Sequence, residues 1–129
     1  MSAFNVAKFG GTSVANFEAM SRCAEIIENN PQTRLVVSSA CSGVTNILVE
    51  LANGVKDEAR RAELISKLRD IHTDIMSKLN DVSSIEARVD ALIEKVATLS
   101  EAACIAATPK LTDHLWPVAS ECPRTSLLV

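Results

Sequence analysis

Short apolar runs mark the first third of the chain, and stripes at helical spacing mark the rest. Asn5 to Phe9 reads as a strand. Arg34 to Ser39, with Leu35-Val36-Val37 at its centre, reads as a second strand of the kind that parallel sheets bury. Between them Met20, Cys23 or Ala24, and Ile27 recur at helical spacing. Asn16 is placed to cap that helix, Glu18 falls in its first turn, and Asn29-Asn30-Pro31 stops it. Two strands joined through one helix predict a right-handed parallel crossover. Ligands of such sheets lie beyond the carboxyl ends of the strands, and Lys8 and Ser39 both fall there.

The second half predicts helices. Ile47, Leu48, Leu51 and Val55 make one apolar face, ended by Gly54. Leu64, Leu68, Ile71, Ile75 and Leu79 make a second, and Ile85, Val89, Leu92, Val96, Leu99 and Ala103 a third. Asn80 to Ser84 reads as the turn of a helical hairpin. Such stripes are packing surfaces, and the charges on their outer faces are solvated.

Composition narrows the function. A chain of 129 residues, 47% of them hydrophobic, can form one domain with a core. The net charge of -3, without a basic run and with scarce aromatics, argues against nucleic acid as the partner. No stretch reads as a signal peptide or approaches the ~20 apolar residues of a membrane span, so a cytoplasmic location is expected. Cys23, Cys41, Cys104 and Cys122 lack metal-ligand spacing and read as reduced, mostly buried thiols. Cys41 is the exception, in a predicted loop, but no base adjoins it. His72 beside an apolar stripe and His114 in a polar stretch build neither a metal site nor a triad.

The richest segment is Lys8-Phe9-Gly10-Gly11-Thr12-Ser13. A strand delivers a lysine and two glycines into a turn, and a helix pattern follows. Glycines let backbone N–H groups approach an anion, a helix N-terminus adds partial positive charge, and a lysine supplies a point charge for phosphate oxygens. The lysine precedes the glycines, so this is not the Gly-x-x-x-x-Gly-Lys-Ser/Thr loop. Strand–glycine–helix corners are common, and the competing reading is a tight structural turn with a solvated lysine.

Lys8 to Val14, Lys-Phe-Gly-Gly-Thr-Ser-Val, resembles the opening signature of aspartate kinases, in the amino acid kinase family. Ser39-Ala40-Cys41-Ser42-Gly43-Val44-Thr45-Asn46 resembles their substrate loop. The similarity runs from Val6 to about Leu115 and is nearest the lysine-sensitive type. It implies an α/β fold: the N-terminal portion of an amino acid kinase fold, with a parallel β-α-β unit followed by a helical hairpin. It also implies transfer of the γ-phosphoryl of ATP, with Mg2+, to the β-carboxylate of L-aspartate, at the start of lysine, threonine and methionine synthesis. By that resemblance Lys8 touches the transferring phosphoryl group, and Phe9, Gly10 and Gly11 bind phosphate. Thr12 and Ser13 either donate to phosphate or order the turn. Thr45 contacts aspartate, with Ser39 beside it.

The family also places a glutamate, in a Gly-Glu-x-Met-Ser type segment, on the substrate ammonium. Glu121 is the nearest counterpart here, but no glycine precedes it, and Pro117 and Pro123 interrupt an expected helix, where a proline costs ~3 kcal/mol. Residues 1–115 therefore read as the N-terminal part of the kinase domain and 116–129 as an atypical tail from a shifted frame or altered coding sequence. Family members are much longer, and their later segments supply the nucleotide contacts, a catalytic aspartate and the regulatory domains. The chain alone is thus expected to be inactive, to hold ATP weakly and to self-associate. The competing reading is a non-catalytic, self-associating interaction module.

Overall fold

A computed structural model describes residues 4–106. Strand β1 spans Asn5–Phe9, helix α1 Phe17–Glu28, strand β2 Thr33–Ser38, and helices α2, α3 and α4 span Val44–Ala52, Glu58–Met76 and Ser83–Ala106. β1 and β2 pair in parallel, with Val6 opposite Leu35, Ala7 opposite Val36, Lys8 opposite Val37 and Phe9 opposite Ser38. This is the crossover that the strand–helix–strand order predicted. The Asn16 side chain accepts the Ala19 N–H at 2.8 Å and so starts α1, as its capping chemistry requires. A one-turn 3-10 helix at Gly11–Val14, with Gly10 as its N-cap, lies between β1 and α1, which the sequence pattern did not anticipate.

The main core lies among the helices. Val44, Ile47 and Leu51 of α2, Leu64 and Leu68 of α3, and Ile93 of α4 form one buried cluster. The α2 stop is as expected: Gly54 adopts φ +81 after the Asn53 cap, and its N–H returns to the Leu51 carbonyl at 3.1 Å. A β-carbon there would stand 3.0 Å from the Ala103 carbonyl oxygen, so glycine also permits close approach of α4. Arg60 of α3 holds Glu50 of α2 in a two-point pair at 2.8 and 3.0 Å, and Arg69 of α3 pairs with Asp90 and Glu94 of α4. These exposed pairs fix helix register more than they add stability.

Three expectations are corrected. The α4 stripe is right in part: Val89 and Val96 pack on the core and Ala103 is buried, but Ile93 and Ser100 complete the inner face, whereas Ile85 and Leu92 are each 44% exposed. The 3–4 spacing is equally regular for both rows, and packing against α2 and α3 chooses between them. Leu79 lies past the end of α3 and is exposed, because the chain leaves the helix after Met76. The β2 run is not buried on both faces: Val36 is half-buried, but Leu35 and Val37 are 47% and 43% exposed. Among the described residues the sheet has two strands, and nothing covers that side. Cys23 is buried, Cys41 and Cys104 are half-buried, and all three are free thiols. His72 is half-buried, with Nδ1 2.7 Å from the Leu68 carbonyl oxygen. No described helix is long and apolar enough to cross a membrane.

Candidate functional site

The carboxyl ends of both strands open on one side of the sheet. β1 ends at Phe9, and Gly10 continues in extended conformation into the 3-10 turn, where its carbonyl accepts the Ser13 N–H at 3.0 Å. Beyond β2, the Ser39 N–H donates to the Phe9 carbonyl at 3.0 Å, so strand pairing runs on into the second loop. The two loops then touch. A β-carbon at Gly11 would stand 3.3 Å from the Ala40 carbonyl oxygen, 3.7 Å from Ser42 Cα and 3.8 Å from Ser39 Oγ. That is tighter than ordinary contact, so a side chain at Gly11 would require the second loop to give by a few tenths of an ångström.

The second loop ends at Gly43, whose φ of +86 places it in the left-handed region as the N-cap of α2. Gly43 has no side chain, so the first turn of α2 lacks a side-chain cap. Its N-terminus therefore keeps donor capacity and partial positive charge near the loop contact. Thr45 lies in that first turn and is exposed.

The expected site residues fall as follows. Lys8 is exposed and enters none of the ion pairs among the described residues. Strand alternation puts it on the face of Val6, Leu35 and Val37, whereas half-buried Phe9 faces the other way. Gly10 has open space around it, and Gly11 sits against the second loop. Ser39 is exposed at the Gly11 contact, and Thr45 is in the α2 turn after Gly43. Lys8, Gly10, Gly11, Ser39 and Thr45 thus belong to two adjoining loops and the ends of their elements. Glu121, His114, Cys122 and the 116–129 tail lie outside the described residues.

Two supporting features were not legible beforehand. The Cys23 thiol donates to the Ser13 carbonyl at 3.1 Å and ties the 3-10 turn to α1. The left-handed Gly43 aims α2, and Ser42-Gly43 was the available signal for it. Burial pushes the Cys41 thiol above its ordinary value, so the loop cysteine is poorly suited to act as a nucleophile. Among the described residues no cluster of three or more His, Cys, Asp or Glu side chains could hold a metal ion. A groove of about 400 Å³ lies between α3 and α4, lined by Arg61, Ile65, Arg69 and Ser100 among others. It shares no residue with the strand ends, and its Arg69 is already engaged by Asp90 and Glu94.

A parallel strand pair with a helical crossover and polar, glycine-rich loops at the strand ends defines an α/β protein of the kind that places ligands there. Residues 3–116 match the amino acid kinase family, and the chain belongs to that family. It is 44% identical to the lysine-sensitive aspartokinase 3 of Escherichia coli over 115 residues, which is 89% of this chain and 25% of that one. It is 50% identical over 86 residues to a Haemophilus influenzae protein named "Putative inactive aspartokinase 3", covering 66% of this chain and 70% of that relative. Solved structures of E. coli aspartokinase III, with lysine and aspartate and with aspartate and ADP, superpose with TM-scores of 0.82 and 0.81 at 43% identity. They match 88% and 87% of this chain and 25% of theirs. The chain thus spans about a quarter of the E. coli enzyme's length.

Proposed function

We propose that this chain carries the phosphoryl-contacting part and a portion of the aspartate-binding part of an aspartate kinase site, and that its 129 residues are inactive by themselves. The observation that carries the reading is the contact between the two loops: Gly11 lies against Ala40 and Ser39, so the lysine–glycine turn and the loop leading to Thr45 form one surface. A relative that shares this fold was solved with aspartate and ADP, which supports ATP and L-aspartate as the substrates.

In this reading the Lys8 ammonium neutralises charge on the transferring phosphoryl oxygens. Backbone N–H groups at Phe9, Gly10 and Gly11 approach the same oxygens because no side chain intervenes at the glycines. The Thr45 hydroxyl and the α2 N-terminus serve a substrate carboxylate, with Ser39 beside them. Phosphoryl transfer depends on positioning and electrostatics, and an incomplete set of donors loses most of the stabilisation. The described residues contain no cluster fit to hold Mg2+, so the metal is not assigned to this stretch. The kinase-type segment is placed at residues 1–115, in a cytoplasmic protein, with Glu121 as the nearest counterpart of the ammonium-binding glutamate.

The reading is tested in a chimera in which residues 1–115 replace the matching quarter of the E. coli enzyme. Lys8→Ala should lower kcat far more than it raises the KM for aspartate, and Thr45→Ala should act chiefly on that KM. Equal effects of both changes on the same parameter would refute the division of roles. For the chain alone, a coupled ADP-release assay should show no aspartate-dependent turnover. Turnover abolished by Lys8→Ala would overturn the inactivity.

A second reading, self-association as an interaction module, is favoured by one row on α4. Ile85 and Leu92 lie two turns apart and are 44% exposed each, with half-buried Leu99 next. Sedimentation equilibrium over a wide concentration range decides it. A Leu92→Asp variant that still dimerises would exclude this row.

A further inference from the structure

We propose that Cys23 is a positioning residue for phosphoryl transfer: its thiol, acting through the Ser13 carbonyl, holds the Lys8-Phe9-Gly10-Gly11 segment where its donors face the phosphate. The inference rests on the aspartate kinase reading above and adds to it a residue of α1 that belongs to neither loop. Cys23 is 8% exposed, and Val14 of the 3-10 turn and Ala19 of α1 are buried as well. All three stand outside the main helical cluster, and the turn and α1 pack on one another. They give the glycine turn an anchor of its own.

Hydrogen bonds carry that anchor to the strand ends. The Cys23 thiol donates to the Ser13 carbonyl at 3.1 Å, and the Ser13 N–H donates to the Gly10 carbonyl at 3.0 Å. On the other side the Ser39 N–H donates to the Phe9 carbonyl at 3.0 Å. Packing does not fix Gly10, since a β-carbon there would meet nothing within 4 Å. Its peptide is therefore held by bonds and not by neighbours. Carbonyls at the end of a helix lack partners within it, and a part-buried one left without a donor is costly. Without the thiol the rigid Ser13–Val14 peptide would turn towards water, strain the Ser13–Gly10 bond and let the glycines and Lys8 shift. Transfer geometry responds at that scale, since a misplacement of ~1 Å can cost about a hundredfold in rate. Burial of Val14 and the tight Gly11 contact limit the shift, so a partial loss is expected.

Three substitutions test this. Cys23→Ser keeps a donor, Cys23→Ala removes it, and Cys23→Val removes it while refilling the space. In the full 129-residue chain, amide hydrogen exchange at Ser13 should quicken at least about threefold with Ala and Val and stay near the natural rate with Ser. In the chimera with the E. coli enzyme, Ala and Val should lower kcat about three- to tenfold with the KM for aspartate nearly unchanged. Cys23→Ser should stay within about twofold of the natural residue. Rates are compared well below the Tm of each variant, and if Cys23→Val does not fold, Ala against Ser must still show the difference. Activity that follows side-chain volume, with Cys23→Val nearest the natural residue, would overturn the proposal. So would unchanged kcat in the Ala and Val variants while Lys8→Ala still lowers it, a result that leaves the site reading intact. A chimera that is inactive with Lys8 and Cys23 in place, or whose kcat is indifferent to Lys8→Ala, would sink the site reading and this inference together.

Discussion

The β1-α1-β2 unit and the α2-α3-α4 unit are built by opposite economies. In the helical unit Leu51, Leu64, Leu68 and Ile93 are no more than 3% exposed, and each comes from a stripe whose neighbours face it within the same short stretch of chain. In the strand unit Val6, Leu35 and Val37 keep roughly half their surface in water. Antiparallel helices close on one another through short turns. Parallel strands need further layers from distant sequence before both faces are dry. The difference matters because the proposed ligand-facing residues straddle the two units, with Lys8, Gly10, Gly11 and Ser39 on or beside the open one and Thr45 at the start of α2, whereas the main buried cluster belongs to the closed one.

The contrast breaks first at the cores. Leu64→Ala should cost about 2–5 kcal/mol, because it opens a cavity in a site with little room to collapse. Leu35→Ala should change the stability of the isolated chain by only ~0.5 kcal/mol or less, since that side chain is half in water. Urea unfolding of both variants measures the gap, and equal losses would mean that the sheet face is covered in solution.

Next come the glycines. Gly54→Ala should cost about 1–3 kcal/mol, because φ is +81 and the new methyl would meet the Ala103 carbonyl at 3.0 Å. Gly10→Ala should cost nothing measurable, as its φ is -84 and the space around it is open. A thermal shift for Gly10→Ala as large as that for Gly54→Ala would show that the open unit is more tightly packed than the geometry implies.

Acid should act on the ion pairs with a small effect. Hydrogen bonds from Arg60 hold the Glu50 carboxyl below its usual value, Lys67 and then Arg60 do the same for Glu63, and Lys78 does so for Glu18. A depressed folded-state pKa gives stability that is present above the unfolded value, near 4.5, and lost as pH falls through the folded one. Tm should therefore decline below about pH 4.5, and Glu50→Gln should flatten that decline. Because these groups are exposed and screened by solvent, a steep collapse at this pH would point to some other carboxylate.

The smallest expected effect is at Cys41, where burial raises the thiol pKa. Its alkylation should be slow near neutral pH and should accelerate with a midpoint above 9.0. Mass spectrometry of iodoacetamide labelling against pH reads this directly. A midpoint below 9.0 would mean that the second loop opens in solution.

Much of this architecture is legible in the chain itself, because its signals are local. Asn16 caps α1 through its own side chain, Gly54 ends α2 because a left-handed residue is needed there, and the spacing of Leu64, Leu68 and Ile75 marks the inner face of α3. The Lys8-Phe9-Gly10-Gly11 and Ser39–Asn46 segments likewise identify themselves by residue type, and their positions at the strand ends follow from the strand–helix–strand order. Tertiary structure decided what depends on remote partners. Leu92 and Ile93 are equally periodic, and only the placement of α2 and α3 selects Ile93 for the core. Leu35-Val36-Val37 looks the same whether one face or two are covered, because burial of a strand face depends on residues remote in sequence. That Gly11 lies tightly against the Ala40 carbonyl follows from bringing together two loops about thirty residues apart, and no local pattern specifies that distance.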